Sequence, residues 1–428
     1  MSSTIAEKIL ARAAGRQALR AGDELLVRPD FVLAYELRGY TDVYFRDMQS
    51  FGVRGLARPE RFAIFIDHRI PAKTPDDEKL HVDTRAWCAE HGVPLFDRVG
   101  IGHQVAAEAG YAVPGSFSVH FDGHISQLGA FGALAMGLRS DVFEAFVRDG
   151  VSLRVPESIR VRLHGRPGPG VMARDVFHHL LYRHGSRFAA FRVLEYAGDG
   201  LDALSVEGLQ VLTGLAMFVG AVTAIVPPGR GRRAAQAQAA PRVQVPPMWP
   251  DHDARYAGTL DVDLADVEPM VVLPPSPANA APLARHAGLP VDAGYLGSCA
   301  SGRLEDLHAA AAILRGRKVA PGFSLHVVPT SQAIMAAAAA DGTLTTLIEA
   351  GAFVSSPSCD FCSGNIATLA PGQRAVSTGT LNVPGRMGAT DADIYLCSAA
   401  TVAASALEGR LCDPRRFAGQ AGAGAGRP

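Results

Sequence analysis

Gly297–Gly322 reads GSCASGRLEDLHAAAAILRGRKVAPG, and it combines a flexible turn, a cysteine and the start of a helix. Leu304, Leu307, His308, Ala311 and Leu314 recur at helical spacing and should line one face, which places Cys299 immediately before a helix N-terminus. Unpaired N–H groups and the positive end of the helix dipole favour thiolate over thiol there. Downstream, FSLHVV (323–328) has strand character, an alanine-rich helix surrounds Met335, and a loop then carries Cys359-Asp360-Phe361-Cys362. Strands alternating with helices predict a mainly parallel α/β unit.

The same pattern occurs nearer the start. FAIFI (62–66) reads as a short buried strand followed at once by Asp67 and His68, and SFSVHF (116–121) reads as a strand giving way to DGH (122–124). Open α/β sheets take ligands beyond the carboxyl ends of their strands, so both sets of polar residues are candidate site positions. Thr4 and Glu7 have capping-box spacing for a first helix, with Gly15 as its stop. Val211–Val226 has 16 apolar-rich residues, too few for a spanning helix of roughly 20, and is expected to be a buried helix.

The chain has 428 residues, so more than one core is expected, and a formal charge of −1 gives no broad field for nucleic acid or an anionic membrane. Arg230, Arg232 and Arg233 form the strong basic patch, without interleaved aromatics, and read as a solvated loop within a Pro/Arg-rich linker. Expected boundaries are 1–150, 151–250 ending in that linker, 251–416, and a disordered tail at 417–428. No secretory pattern opens the sequence, so the cytoplasm is the expected compartment, where thiols serve chemistry more often than disulfides.

Cys359 and Cys362 stand at the i, i+3 spacing that reaches neighbouring irons of one cluster; a redox pair, half a zinc site or two buried thiols fit the same spacing. Cys299 supplies a third thiol. Cys88, Cys397 and Cys412 have apolar neighbours and read as buried small hydrophobes, leaving three thiolates and one open metal position. An open metal can polarise a C–O bond. His178, His179 and His184 suggest a zinc site less well than a partly exposed helix face.

IAEKILARAAG, the DH of IDHRIP, GIGHQV, VPGSFSVHFDGH, VEGL, GSCASGRLEDL, GRKVAPG, IEAGA, CDFCSGN and LAPGQR together resemble, in order and nearly end to end, the large subunits of 3-isopropylmalate dehydratase within the aconitase superfamily. The resemblance implies an α/β architecture of three units around a central 4Fe-4S cluster held by Cys299, Cys359 and Cys362, with the swivel domain absent. It also implies a hydro-lyase or isomerase acting on a hydroxy-di- or tricarboxylate. A separate small subunit would then supply the swivel domain, a base serine and further arginines. By the same resemblance His68 would contact the reacting hydroxyl with support from Asp67, His103 would assist, Asp122, His124 and Glu305 would complete the acid/base network, and Arg386 would bind a substrate carboxylate. A non-catalytic iron–sulfur regulator or RNA-binding relative is the alternative.

Several positions depart from the family pattern. Gly123 replaces a serine, Ile125 a threonine and Ser301 an asparagine; Thr380-Leu381-Asn382-Val383 replaces NRNF, and Tyr35-Glu36-Leu37-Arg38 replaces HDxT. Losing an arginine at Leu381 would leave a substrate carboxylate poorly paired, at a cost on the order of 2 to 5 kcal/mol. A substrate with one carboxylate replaced by an apolar or amide group is expected instead.

Overall fold

The computed structural model describes residues 2–39, 46, 48, 50, 52–53, 55–229 and 240–417. The basic patch at Arg230, Arg232 and Arg233 and nearly all of the expected disordered tail lie outside the described residues. The chain divides into two compact units: Met1–His164 with Arg187–Asp202 and Thr213–Val262, and Gly165–Ser186 with Ala203–Leu212 and Asp263–Pro428.

The first unit contains a five-stranded parallel sheet in the spatial order Leu95–Asp97, Phe62–Ile66, Phe31–Tyr35, Phe117–His120, Leu134–Gly137. FAIFI is buried at all five positions, as a strand covered on both faces must be. Phe65 is fully buried and stacks on Phe96 with ring centroids 4.8 Å apart, so Phe65→Ala would cost about 3 to 5 kcal/mol. The sequence order across the sheet reverses between Phe31–Tyr35 and Phe117–His120, the kind of switch beside which open α/β sheets take ligands.

A four-stranded sheet in the same unit orders Thr223–Ile225, Val193–Ala197, Ser158–His164 and Gly258–Asp263. The N-terminal helix Ile5–Ala13 has the expected capping box between Thr4 and Glu7. Its open end is also anchored to that sheet, because Ile5 N and Ala6 N donate to the buried Glu195 carboxyl at 3.2 and 3.1 Å. The apolar run expected as one buried helix is broken: a helix covers Val206–Gly214, a 3-10 turn Ala216–Val219 and a strand Thr223–Ile225. Gly214 and Gly220 break it, the latter in the left-handed region at φ +80°.

The second unit holds a seven-stranded sheet ordered Ala280–Pro282, Met270–Val272, Asp393–Cys397, Arg374–Ser377, Ala293–Leu296, Ser324–Val327, Ala352–Val354. Its last five members are parallel to one another, while Met270–Val272 is antiparallel to both of its neighbours. Here the order reverses between Ala293–Leu296 and Arg374–Ser377. The helix expected after Cys299 spans Leu304–Leu314 and buries Leu307, Ala310, Ala311 and Leu314. His308 is the exception, being exposed and bonded through Nε2 to Asp341 at 2.7 Å. Among the described residues no single helix is long and apolar enough to cross a membrane.

Candidate active site

Each unit places polar residues in loops that follow the carboxyl ends of its parallel strands. In the first, Asp67 and His68 follow Phe62–Ile66 directly, and both are buried. His68 Nδ1 lies 2.6 Å from Asp67 Oδ1, and Asp67 Oδ2 accepts the Gly102 N–H at 2.7 Å. A Cβ on Gly102 would stand 2.9 Å from the Phe65 ring, so only glycine lets this amide approach the carboxylate. Beyond strand Phe117–His120, Asp122 Oδ1 accepts from His124 N at 2.9 Å and faces His124 Nδ1 at 3.0 Å. Burial alone would raise Asp122, but His124, then His103 and His120, hold its carboxyl well below the usual range.

His103, on helix Gly102–Glu108, is 1% exposed, and neither ring nitrogen has a hydrogen-bond partner among the described residues. Burial drives its pKa down to about 4, with Asp122, His124, Asp67 and His68 as the charged groups around it. The ring is therefore neutral near pH 7. The first unit thus brings together five of the expected residues: Asp67, His68, His103, Asp122 and His124.

Three neighbours of this array were not expected from the sequence. His120 donates from Nδ1 to the Leu33 carbonyl at 2.6 Å, which fixes its tautomer, and burial lowers it to about 3. Tyr35 packs between His68 and His120, with ring centroids at 4.7 and 4.6 Å. Glu36 accepts the N–H groups of Asp67 and His68 at 2.8 and 3.0 Å, and burial pushes its carboxyl well up despite the opposing pull of His68. An available signal was position: Tyr35, Glu36 and His120 all sit at carboxyl ends of the two strands flanking the switch.

The substitution at Gly123 has a local cause. A Cβ there would come within 3.3 Å of the Met217 sulfur, so the space of the missing serine is taken by methionine. Ile125 is fully buried in the core.

In the second unit Cys299 sits in the turn Gly297–Gly302 between strand Ala293–Leu296 and helix Leu304–Leu314. Ser298 is held at φ +107°, an unfavourable value for a residue with a side chain. The surroundings over-determine it: Ser298 Oγ donates to Thr378 O at 3.1 Å, and Gly297 N donates to Thr378 Oγ1 at 2.8 Å. Two buried arginines add to the grip. Arg303 donates to Cys299 O at 3.0 Å, while Arg174 reaches Thr378 O at 2.6 Å and Gly379 O at 3.0 Å.

Cys359 and Cys362 occupy the short 3-10 turn Cys359–Ser363, tied by Asn365 Nδ2 to Asp360 Oδ1 at 3.2 Å. Gly364 follows at φ +77°, where a Cβ would collide with Met387 at 2.8 Å. Arg386 donates from Nη2 to Cys362 Sγ at 3.1 Å. Burial would lower this guanidinium, but Cys362, then Cys359 and Cys299, together raise it, Cys362 through the direct hydrogen bond. Its Nε has no partner among the described residues, nor has either polar atom of the Asn382 side chain, which is 2% exposed. No disulfide involves any of the six cysteines. By contrast, burial raises the thiols of Cys88, to about 12, and of Cys397 and Cys412.

Glu305 belongs to a separate contact set in this unit. Its side chain accepts from Ser205 Oγ, its N–H donates to Glu207 at 2.6 Å, and burial followed by Asp306 and Glu207 raises its carboxyl. Of the histidines weighed as zinc ligands, His178 is buried with its ring lowered by burial, His179 is half-buried and His184 exposed, so they span a partly exposed helix face.

The model of the aconitase family (aconitate hydratase) matches residues 62–289 and 284–409. A homoaconitase large subunit from Thermus thermophilus is 38% identical over 97% of this chain and 98% of its own length. A 3-isopropylmalate dehydratase large subunit from Methanopyrus kandleri is 36% identical over 97% of this chain and 100% of its own. Aconitase X from Thermococcus kodakaraensis superposes with a TM-score of 0.48 at 12% identity, over 86% of this chain and 88% of its own. The two full-length sequence matches and the family model carry the conclusion: the chain belongs to the aconitase family of hydro-lyases.

Proposed function

We propose that this chain is the large subunit of a two-subunit, cluster-dependent enzyme that removes and re-adds water on a hydroxy-dicarboxylate related to isopropylmalate, or on an analogue with one carboxylate masked. The observation that carries the reading is Arg386, whose Nη2 donates to Cys362 Sγ at 3.1 Å and whose charge Cys362, Cys359 and Cys299 all favour. Three soft donors, a neighbouring cation and unpaired buried polar atoms at Asn382 and Arg386 Nε suit an iron–sulfur cluster with one unprotected iron. When bound, a 4Fe-4S cluster supplies a Lewis acid that weakens a C–O bond.

The chain's own residues supply the rest. Asp67 holds His68 through Nδ1, leaving proton exchange at the substrate hydroxyl to Nε2. Asp122 holds His124 in the same way, and His124 Nε2 has no partner among the described residues. His103, neutral near pH 7, enters as a proton acceptor or hydrogen-bond partner without a charge of its own to desolvate. Glu305, with its raised carboxyl, is the candidate acid group of the second unit. Arg386 keeps its Nε side for a substrate carboxylate, and partly buried Leu381 offers apolar contact where the family pattern has a second arginine.

The relatives' designation as large subunits supports a separate small subunit as partner, and a biosynthetic hydro-lyase of this kind fits the cytoplasm. The test is turnover by the reconstituted protein with its small subunit on isopropylmalate, homoaconitate-type acids and their monoamides or apolar-substituted analogues. The expected result is preference for a masked analogue. Faster turnover of the free diacid would overturn the substrate assignment, and no turnover of any member would overturn the enzymatic one.

A further inference from the structure

Behind the Asp67–His68 pair lies a second pair, Glu36 and His81. Glu36 is 1% exposed and directly follows strand Phe31–Tyr35, the neighbour of Phe62–Ile66; its own N–H donates to Phe65 O at 3.1 Å. Its two carboxyl oxygens receive the two successive amides of Asp67 and His68. His81, on helix Pro75–His91 and equally buried, places Nε2 3.2 Å from His68 O and 3.3 Å from Glu36 Oε1. His68 O is a carbonyl and can only accept, so Nε2 carries the hydrogen. Arg69, the next residue, is held in the left-handed region at φ +51°. Every backbone polar group from Asp67 N to His68 O that could set the direction of the His68 ring, apart from the Asp67 carbonyl, thus ends on Glu36 or His81.

We propose that Glu36, braced by His81, is a positioning residue that sets the orientation and protonation of His68, a role that rests on His68 acting in proton transfer. Glutamate does what glutamine cannot. As a carboxylate it offers an acceptor oxygen to each of the Asp67 and His68 amides, whereas an amide offers one acceptor oxygen and turns an NH2 toward a backbone donor. The charged or titratable groups facing the cluster are Asp67 and His68 from one loop, Tyr35 on the same strand, and His81 from the helix, with Glu78 3.5 Å from His81 Nδ1. Arg98 and Arg85 in turn pair with Glu78 at 3.0 and 3.5 Å.

The experiment compares wild type with Glu36→Gln, Glu36→Asp and His81→Gln in two readouts. One is NMR titration of the His68 ring in the chain without reconstituted cluster; the other is the pH profile of kcat and kcat/KM in the reconstituted two-subunit enzyme. Glu36→Gln is expected to move the His68 midpoint by about half a pH unit or more and to lower kcat about tenfold or more with KM nearly unchanged. Glu36→Asp should recover part of both, and His81→Gln should shift both in the same sense by less. A lower melting temperature with an unmoved His68 midpoint and unmoved pH profile would overturn the proposal. If Glu36→Gln does not fold, His81→Gln decides between the same two outcomes: a moved midpoint upholds the role and an unmoved one overturns it. A moved midpoint in a protein without turnover would uphold the positioning role while removing the proposed reaction.

Discussion

The five-stranded sheet of the first unit and the five parallel strands of the second run in one spatial order, third, second, first, fourth, fifth by sequence, yet the loops after their strands carry different chemistry. In the first unit these loops present imidazoles paired with carboxylates: His68 on Asp67 and His124 on Asp122. In the second they present thiols beside guanidinium groups: Cys362 on Arg386, and Cys299 in a turn held by Arg303 and Arg174. Topology decides where a site can form, and side chains decide what it does. On the proposed reading, the first sheet would move protons near neutral pH and the second would hold a soft metal centre.

The largest expected effect separates those roles. Cys299→Ser, Cys359→Ser or Cys362→Ser should abolish iron retention and lower activity at least about a thousandfold, whereas Cys397→Ser should retain iron, as read by metal analysis after desalting. Next, His68→Ala and His124→Ala should keep full iron content while kcat drops about 10² to 10⁴-fold. Loss of iron in the histidine variants would break the division of labour between the sheets.

Leu381→Arg should shift preference toward the free diacid by on the order of 2 to 5 kcal/mol in kcat/KM, measured by competition between diacid and masked analogue. Because Arg386 already engages Cys362, an added arginine and not a reoriented one is the change that restores a second carboxylate partner.

A smaller effect is one of pH on stability. His103 and His120 are lowered by burial to about 4 and about 3, against an unfolded value near 6.5. A ring whose folded pKa is depressed binds fewer protons than the unfolded chain, so its stabilising contribution is complete above about pH 6.5 and is lost as pH falls toward those lower values. For His103 alone this amounts to about 3 kcal/mol, and His103→Phe should flatten the slope of urea-unfolding free energy between pH 6.5 and 4. Smallest of all, Gly123→Ser should change activity less than about tenfold and improve when combined with Met217→Ala, since the new Cβ meets the Met217 sulfur at 3.3 Å.

Much of the fold was legible because it rests on local signals. FAIFI, the Thr4–Glu7 capping box and the helix after Cys299 stand where period and capping chemistry put them. The run Val211–Val226 misled, since apolarity alone does not distinguish a buried helix from a helix, turn and strand in succession. The DH and DGH pairs were readable as residues at strand ends, and their partners were not. Glu36 meets Asp67 across 31 positions of sequence, and His120 meets Leu33 across 87, contacts that only parallel pairing creates. Arg386 shows the same limit: the family resemblance implied a carboxylate ligand, while its bond to Cys362 joins two loops 24 residues apart in sequence.

The central claim is that the three sulfurs around Arg386 hold a cluster with one unprotected iron. Electron paramagnetic resonance on anaerobically reconstituted protein, before and after mild oxidation, tests it most directly. The expected result is a three-iron signal that appears on oxidation and is absent from the Cys299, Cys359 and Cys362 variants. A protein that takes up no cluster, or one whose cluster survives loss of any of these cysteines, would contradict it.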